Sequence, residues 1–138
     1  MKGKLSPRLL KMVDALPLKE GMRVLEIGCG PGAAVREVAA RIAHGHVLGI
    51  DRSARAVQQA SKQSVAETGA ASISFRHVAI EDLALAETEE GFDLAFAVRV
   101  GAFDGRHPEL EEQALVRVMQ ALKPGGKLYI DGQFRCQK

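Results

Sequence analysis

The chain has 138 residues, 46% of them hydrophobic, which suits one domain with a sizeable core and leaves little for a separate substrate domain. Its 19 Lys plus Arg are scattered along the chain against 17 Asp plus Glu, a formal charge of +2, so neither charge nor its distribution points to nucleic acid. Cys29 and Cys136 lie far apart with no CxxC and no Cys/His ligand spacing, which argues against a disulfide framework or a metal site and makes a reducing cytoplasm the default location.

The start, MKGKLSPRLLKMVDALP, is basic like a secretion signal, but Lys11 and Asp14 break the apolar run such a signal needs. No later segment approaches membrane-spanning length. Ser6-Pro7 instead offers an N-cap and a first-turn proline, and Leu9, Leu10, Val13 and Leu16 recur at helical spacing up to Pro17. A leading helix over 1–17 is expected. Met22 to Gly28 (MRVLEIG) reads as a buried strand, and Ala33 to His44 as a helix with Val35, Val38, Ala39 and Ile42 on one face, closed by Gly45. His46 to Asp51 is a second strand; Ser53 caps a second helix expected to run to about Thr68 and to stop at Gly69. Ile73 and Phe75 mark a third strand, Phe92 to Val98 a fourth and Lys127 to Asp131 a fifth. Between the last two, Leu110, Ala114, Leu115, Val118, Met119 and Leu122 define an amphipathic helix.

Strands alternating with helices imply right-handed crossovers, because parallel neighbours cannot be joined by short hairpins. The expected fold class is α/β, doubly wound, with a mostly parallel sheet covered on both faces. Ligands in such sheets bind beyond the carboxyl ends of the strands, where the glycine turn after the first strand would lie.

That turn, Gly28-Cys29-Gly30-Pro31-Gly32-Ala33, can be written GxGxxA, with Asp51 following at about the ~20-residue distance of a dinucleotide fingerprint. Glu26 separates the candidate ligands. It stands on a central strand that should be apolar on both faces, and a buried charge there needs a reason. A pyrophosphate wants backbone amides and a helix N-terminus, so a carboxylate alongside would repel it. A ligand with an ammonium and a sulfonium but no phosphate would gain from the same carboxylate, and S-adenosylmethionine is such a ligand. The other account of Glu26 is local: it could cap backbone amides without touching a ligand.

With these features the chain, from Met22 to Asp131, resembles the class I S-adenosylmethionine-dependent methyltransferases. VLEIGCGPG is similar to their first motif, GIDRS to the second-strand motif, GFDLAFAV to the fourth-strand motif and LKPGGKLYI to the entry into the fifth strand. The resemblance implies a Rossmann-like core and a cofactor site in which Gly28, Cys29, Gly30 and Gly32 shape the turn and Glu26 supports the amino-acid end. Asp51, with Arg52 beside it, would hold the ribose hydroxyls, a task suited to a carboxylate with lone pairs for two vicinal donors. It further implies adenine contact near Ala79 and Ile80, and at position 99 a residue facing the cofactor's methionine end, here Arg99, which could bind the cofactor's carboxylate or an acidic substrate.

Two departures from the family pattern stand out. Ala79 occupies the place where an acid often contacts adenine, which leaves backbone at Ala79 and Ile80, or Glu81, to do so. After the fifth strand only GQFRCQK remains where an antiparallel strand pair is usual, so the fifth strand is expected to be an exposed edge. Such an edge invites pairing with a second copy, or marks a shortened form of a longer enzyme.

Methyl transfer is an in-line displacement in which alignment alone can supply up to roughly 7–11 kcal/mol, so no dedicated catalytic residue is obligatory and none is assigned. The Asn/Asp-Pro-Pro-aromatic run of exocyclic amine methylation is absent after the fourth strand. In the following loop Asp104, Arg106 and His107 could orient or deprotonate an acceptor. The expected function is methyl transfer to a small-molecule acceptor; the alternatives are a non-catalytic cofactor-binding or assembly subunit and an NAD-dependent reductase.

Overall fold

The computed structural model describes residues 5–64 and 70–138. Among them six segments pair into one sheet: β1 (Arg23–Ile27), β2 (His46–Asp51), β3 (Ser72–His77), β4 (Phe92–Ala97), β5 (Leu122–Ile130) and β6 (Gln133–Gln137). Their order is β3-β2-β1-β4-β5-β6, with the first five parallel and β6 antiparallel to β5. The helices are α1 (Pro7–Asp14), α2 (Ala33–Arg41), α3 (Ala54–Gln63) and α4 (Pro108–Ala121).

Local chemistry accounts for the helix starts. Ser6 Oγ accepts from the Leu9 amide at 3.2 Å and Pro7 opens the first turn of α1; Ser53 Oγ accepts from the Ala56 amide at 3.2 Å and starts α3. The expected end of that helix near Thr68 and Gly69 falls outside the described residues, and α3 itself ends at Gln63. Helix α2 stops at Arg41, short of the expected His44, because the chain must reverse there. His44 takes a left-handed φ of 65°, and a Cβ on Gly45 would lie 2.2 Å from the Met22 carbonyl oxygen, so the backbone is already turning into β2.

Period-two alternation splits the core between the two faces of the sheet. Leu25, Ile27, Leu48, Ile50 and Ala95 pack toward α4 with Ala114, Val118 and Ala121. Val24, Val47, Leu94 and Phe96 pack on the other face with Val13 of α1 and with Val35, Val38 and Ala39 of α2. Both faces are covered, which a parallel sheet requires. Glu26, one step from Leu25 and Ile27, therefore points to the α2 face, between Gly49 of β2 and Phe96 of β4 in register.

The C-terminal end corrects the expectation of an unpaired fifth strand. Asp131 and Gly132 both have positive φ, 51° and 80°, and connect Ile130 to its partner Gln133 by a two-residue turn. This is the geometry that matches the twist of a tight hairpin, and it folds GQFRCQK back along β5 as β6. Tyr129 and Phe134 then meet edge to face, ring centroids 5.8 Å apart. The free edge on this side is β6, not β5. Leu122, expected as the last helical residue, instead pairs with Phe92; the register then jumps to Leu94 opposite Lys127, and Lys123 to Gly126 bulge between the two pairings.

Candidate functional site

At the carboxyl ends of β1, β2 and β4 the glycine turn, the end of β2 and the loop before α4 enclose an open cavity of about 830 Å³. Of the residues singled out from the sequence, it gathers Gly28, Asp51, Arg52, Ala79, Ile80 and Arg99 along its wall. Glu26, Cys29, Gly30 and Gly32 do not line it.

The turn is held by its acid. Asp51 Oδ2 accepts from the Gly30 amide at 2.9 Å, and Oδ1 accepts from the Ser53 amide at 2.9 Å. Two acceptor positions are thereby used, and a carboxylate has about four, so Asp51 keeps capacity for a ligand's hydroxyls. The same side chain thus joins the glycine turn to the end of β2, across 21 residues of sequence.

Gly28 has a φ of 70°, and a Cβ there would lie 2.7 Å from Val100 Cγ2. Glycine is needed twice over, for its left-handed backbone and for the approach of Val100. Gly28→Ala should destabilise the fold by about 1–2 kcal/mol from the backbone alone, with the clash added. In thermal unfolding Val100→Ala should recover the clash but not the backbone part, so the double mutant should fall between Gly28→Ala and wild type.

Glu26 is only 4% exposed, and its Oε1 finds no hydrogen-bond partner among the described residues. The Val35 amide, in the first turn of α2, acts to lower the pKa of this carboxyl, and the helix's N-cap, Gly32, offers no side chain. The local account of Glu26, a cap on backbone amides, leaves Oε1 unexplained. Burial first, and the negative charge of Asp51 second, hold this carboxyl well above the usual carboxylate range; the Val35 amide offsets part of that. Cys29 is pushed up to about 12 by burial and then by Glu26 and Asp51, which makes it a packed thiol and not a nucleophile.

Beyond the turn, one-turn helices at Ile80–Asp82 and Gly101–Phe103 set the remaining wall. Ile80 is buried, and Val78, Ala79 and Glu81 line the cavity beside it. Across from them stand Arg99, Val100, Ala102, Arg106, His107, Pro108 and Leu110. Asp104 and Arg106 occupy each other, Nε to Oδ2 at 2.7 Å and Nη2 to Oδ2 at 2.6 Å, and Asp104 is not in the wall. Val100, Pro108 and Leu110 were not foreseen as site residues. Their signal in the sequence was only that they flank the candidates Arg99 and His107.

The implied cofactor fits what is present. The buried, partnerless Oε1 of Glu26 suits a cationic neighbour, Asp51 retains acceptor capacity at the wall, and no Cβ fills the space beside Gly30.

Comparisons with known proteins agree. A family model described as a methyltransferase domain matches residues 18–133. The chain is similar to the arsenite methyltransferase of Aquipseudomonas alcaligenes, 38% identical over 117 residues that make up 81% of this chain and 33% of that protein. It is also similar to the ubiquinone biosynthesis O-methyltransferase of Hahella chejuensis, 30% identical over 125 residues, 91% of this chain and 49% of that protein. Among solved structures, a SAM-dependent methyltransferase from Thiobacillus denitrificans in complex with S-adenosyl-L-homocysteine superposes with a TM-score of 0.67 at 24% identity, covering 94% of this chain and 50% of that one. At that identity the likeness is one of fold. The chain spans between a third and a half of the length of these relatives.

Proposed function

The chain belongs to the class I S-adenosylmethionine-dependent methyltransferases, and from that premise we propose that its cavity carries out methyl transfer from S-adenosylmethionine to a small-molecule acceptor. The observation that carries the proposal is the bond between the Gly30 amide and Asp51, which ties the two motif positions together at the cavity with acceptor capacity left over.

When bound, S-adenosylmethionine supplies an electrophilic methyl group for in-line displacement. Asp51 would hold the ribose hydroxyls, Glu26 would bias the space beneath the turn toward a cation, and Ile80 with Val78 would give the adenine an apolar wall. Asp104 and Arg106 are engaged with each other, and His107 lines the cavity, so His107 would be the group to accept a proton from the acceptor.

Titration calorimetry should show S-adenosylhomocysteine binding and NADH failing to bind; the reverse result would mean that an NAD-dependent reductase is the correct reading and that Glu26 does not select against phosphate. Cofactor binding without methyl transfer to a broad panel of small acceptors would identify a non-catalytic subunit instead.

A second copy of the chain belongs to the proposal as well. With β5 covered, copies would pair along β6, where Phe134 is 54% exposed on an edge strand. Light scattering should show a particle of twice the chain's 14.8 kDa, reduced to one chain by Phe134→Lys; a wild-type particle of single-chain mass rules the pairing out.

A further inference from the structure

Arg99 is held in a conformation that arginine rarely takes. Its φ is 53°, in the left-handed region, and the state persists because its amide donates to Asp131 Oδ1 at 2.8 Å while the Asp131 amide donates to the Ala97 carbonyl at 2.9 Å. The hairpin turn between β5 and β6 thus clamps the end of β4 and fixes where the Arg99 side chain leaves the backbone. Strain of this kind concentrates where a group must be aimed.

Two of the cavity's guanidinium groups, those of Arg52 and Arg99, carry uncompensated charge among the described residues. Three arginines line the cavity, Arg52, Arg99 and Arg106. Arg106 is neutralised by Asp104. Arg52 follows Asp51 directly and stands on the side assigned to the ribose. The exposed Arg99 guanidinium, like that of Arg52, makes no hydrogen bond or ion pair among the described residues, and Val100, Ala102 and Leu110 contribute apolar surface to the same wall. Three carboxylates in the same wall, Asp51, Glu81 and Glu109, would repel a second negative charge.

Resting on the methyl-transfer reading of this cavity, we propose that Arg99 anchors an anionic group of the methyl acceptor, which is therefore a small monoanion: a carboxylate on an apolar body. A planar guanidinium takes both oxygens of a carboxylate, and the apolar wall takes the remainder of the molecule. Asp131 acts as a positioning residue, through its bond to the Arg99 amide.

The test is equilibrium binding of benzoate and hexanoate, each against its neutral amide, to protein saturated with S-adenosylhomocysteine. At least one acid should bind about ten-fold or more tightly than its amide, and Arg99→Gln should remove the preference while leaving S-adenosylhomocysteine affinity within about two-fold of wild type. Asp131→Ala should lower the preference and Asp131→Asn, which keeps an acceptor and suits the turn, should restore it. Acids and amides binding alike or not at all, or a preference that survives Arg99→Gln, overturns the anchor while cofactor binding stands. A ten-fold loss of S-adenosylhomocysteine affinity in Arg99→Gln also overturns it, because the guanidinium then serves the cofactor's own carboxylate. Wild-type protein that binds no S-adenosylhomocysteine overturns the reading of the cavity itself, and the anchor with it.

Discussion

Glu26→Gln should stabilise the free protein at neutral pH and weaken its binding of S-adenosylhomocysteine. The side chain is buried with one oxygen partnerless, and its carboxyl is held well above the ordinary value of 4.5 by burial and by Asp51. In the interval between 4.5 and the raised value the unfolded chain has lost the proton and the folded chain keeps it. The folded state therefore binds more protons, and stability falls as pH rises through that interval. Glutamine has no proton to lose, so the variant's melting temperature should be higher at neutral pH and flatter with pH. For the ligand the sign reverses. A cation near the carboxyl favours its ionised form, so the complex holds fewer protons than the free protein and affinity rises with pH. Glutamine removes that dependence and should cost about 1.5–3 kcal/mol of affinity, roughly one to two orders of magnitude in Kd. Calorimetry in buffers of different protonation enthalpy reads the released proton directly. An affinity independent of pH in the wild type would confine Glu26 to a role in the free fold.

Asp51→Ala should be the most damaging single change to the cofactor site. It removes the acceptor for the ligand's hydroxyls and also the one that holds the Gly30 and Ser53 amides. Loss of charged hydrogen bonds should weaken S-adenosylhomocysteine binding by about 1.5–3 kcal/mol, and the released Gly30 amide should cost about 1–3 kcal/mol of stability. The fold should survive, since Asp51 sits half-buried at the end of β2 and both core clusters lie elsewhere. Asp51→Asn keeps one acceptor and should fall between the two. Circular dichroism with calorimetry separates the effects; an unchanged Kd in Asp51→Ala would remove this residue from the site.

The alternation of elements was legible in the sequence because each rests on short-range signals. Ser6-Pro7 and Ser53 mark helix starts by bonds within one turn, and the apolar runs of β1, β2 and β4 are continuous because both faces of the sheet are covered. Asp131-Gly132 is equally local, a two-residue hairpin signal, yet from the sequence the fifth strand reads as an exposed edge, and β6 had to come from the structure. The early end of α2 was less accessible: Ile42 keeps the apolar period into the core, while the reversal at His44 depends on where Met22 lies.

For the site, the sequence alone determined the glycine turn, its acid Asp51 and the anomaly of Glu26, because residue type and spacing carry those. Only the tertiary structure decided how they are used. It turned Glu26 onto the α2 face with its buried Oε1 unpartnered among the described residues, closed Arg106 onto Asp104, and bent the chain back after β5 so that Asp131 clamps Arg99. The physical reason is that a hydrogen-bond vacancy or a backbone clamp is a property of partners far apart in the chain. Arg99 and Asp131 are 32 residues apart, and nothing local to either says that they meet.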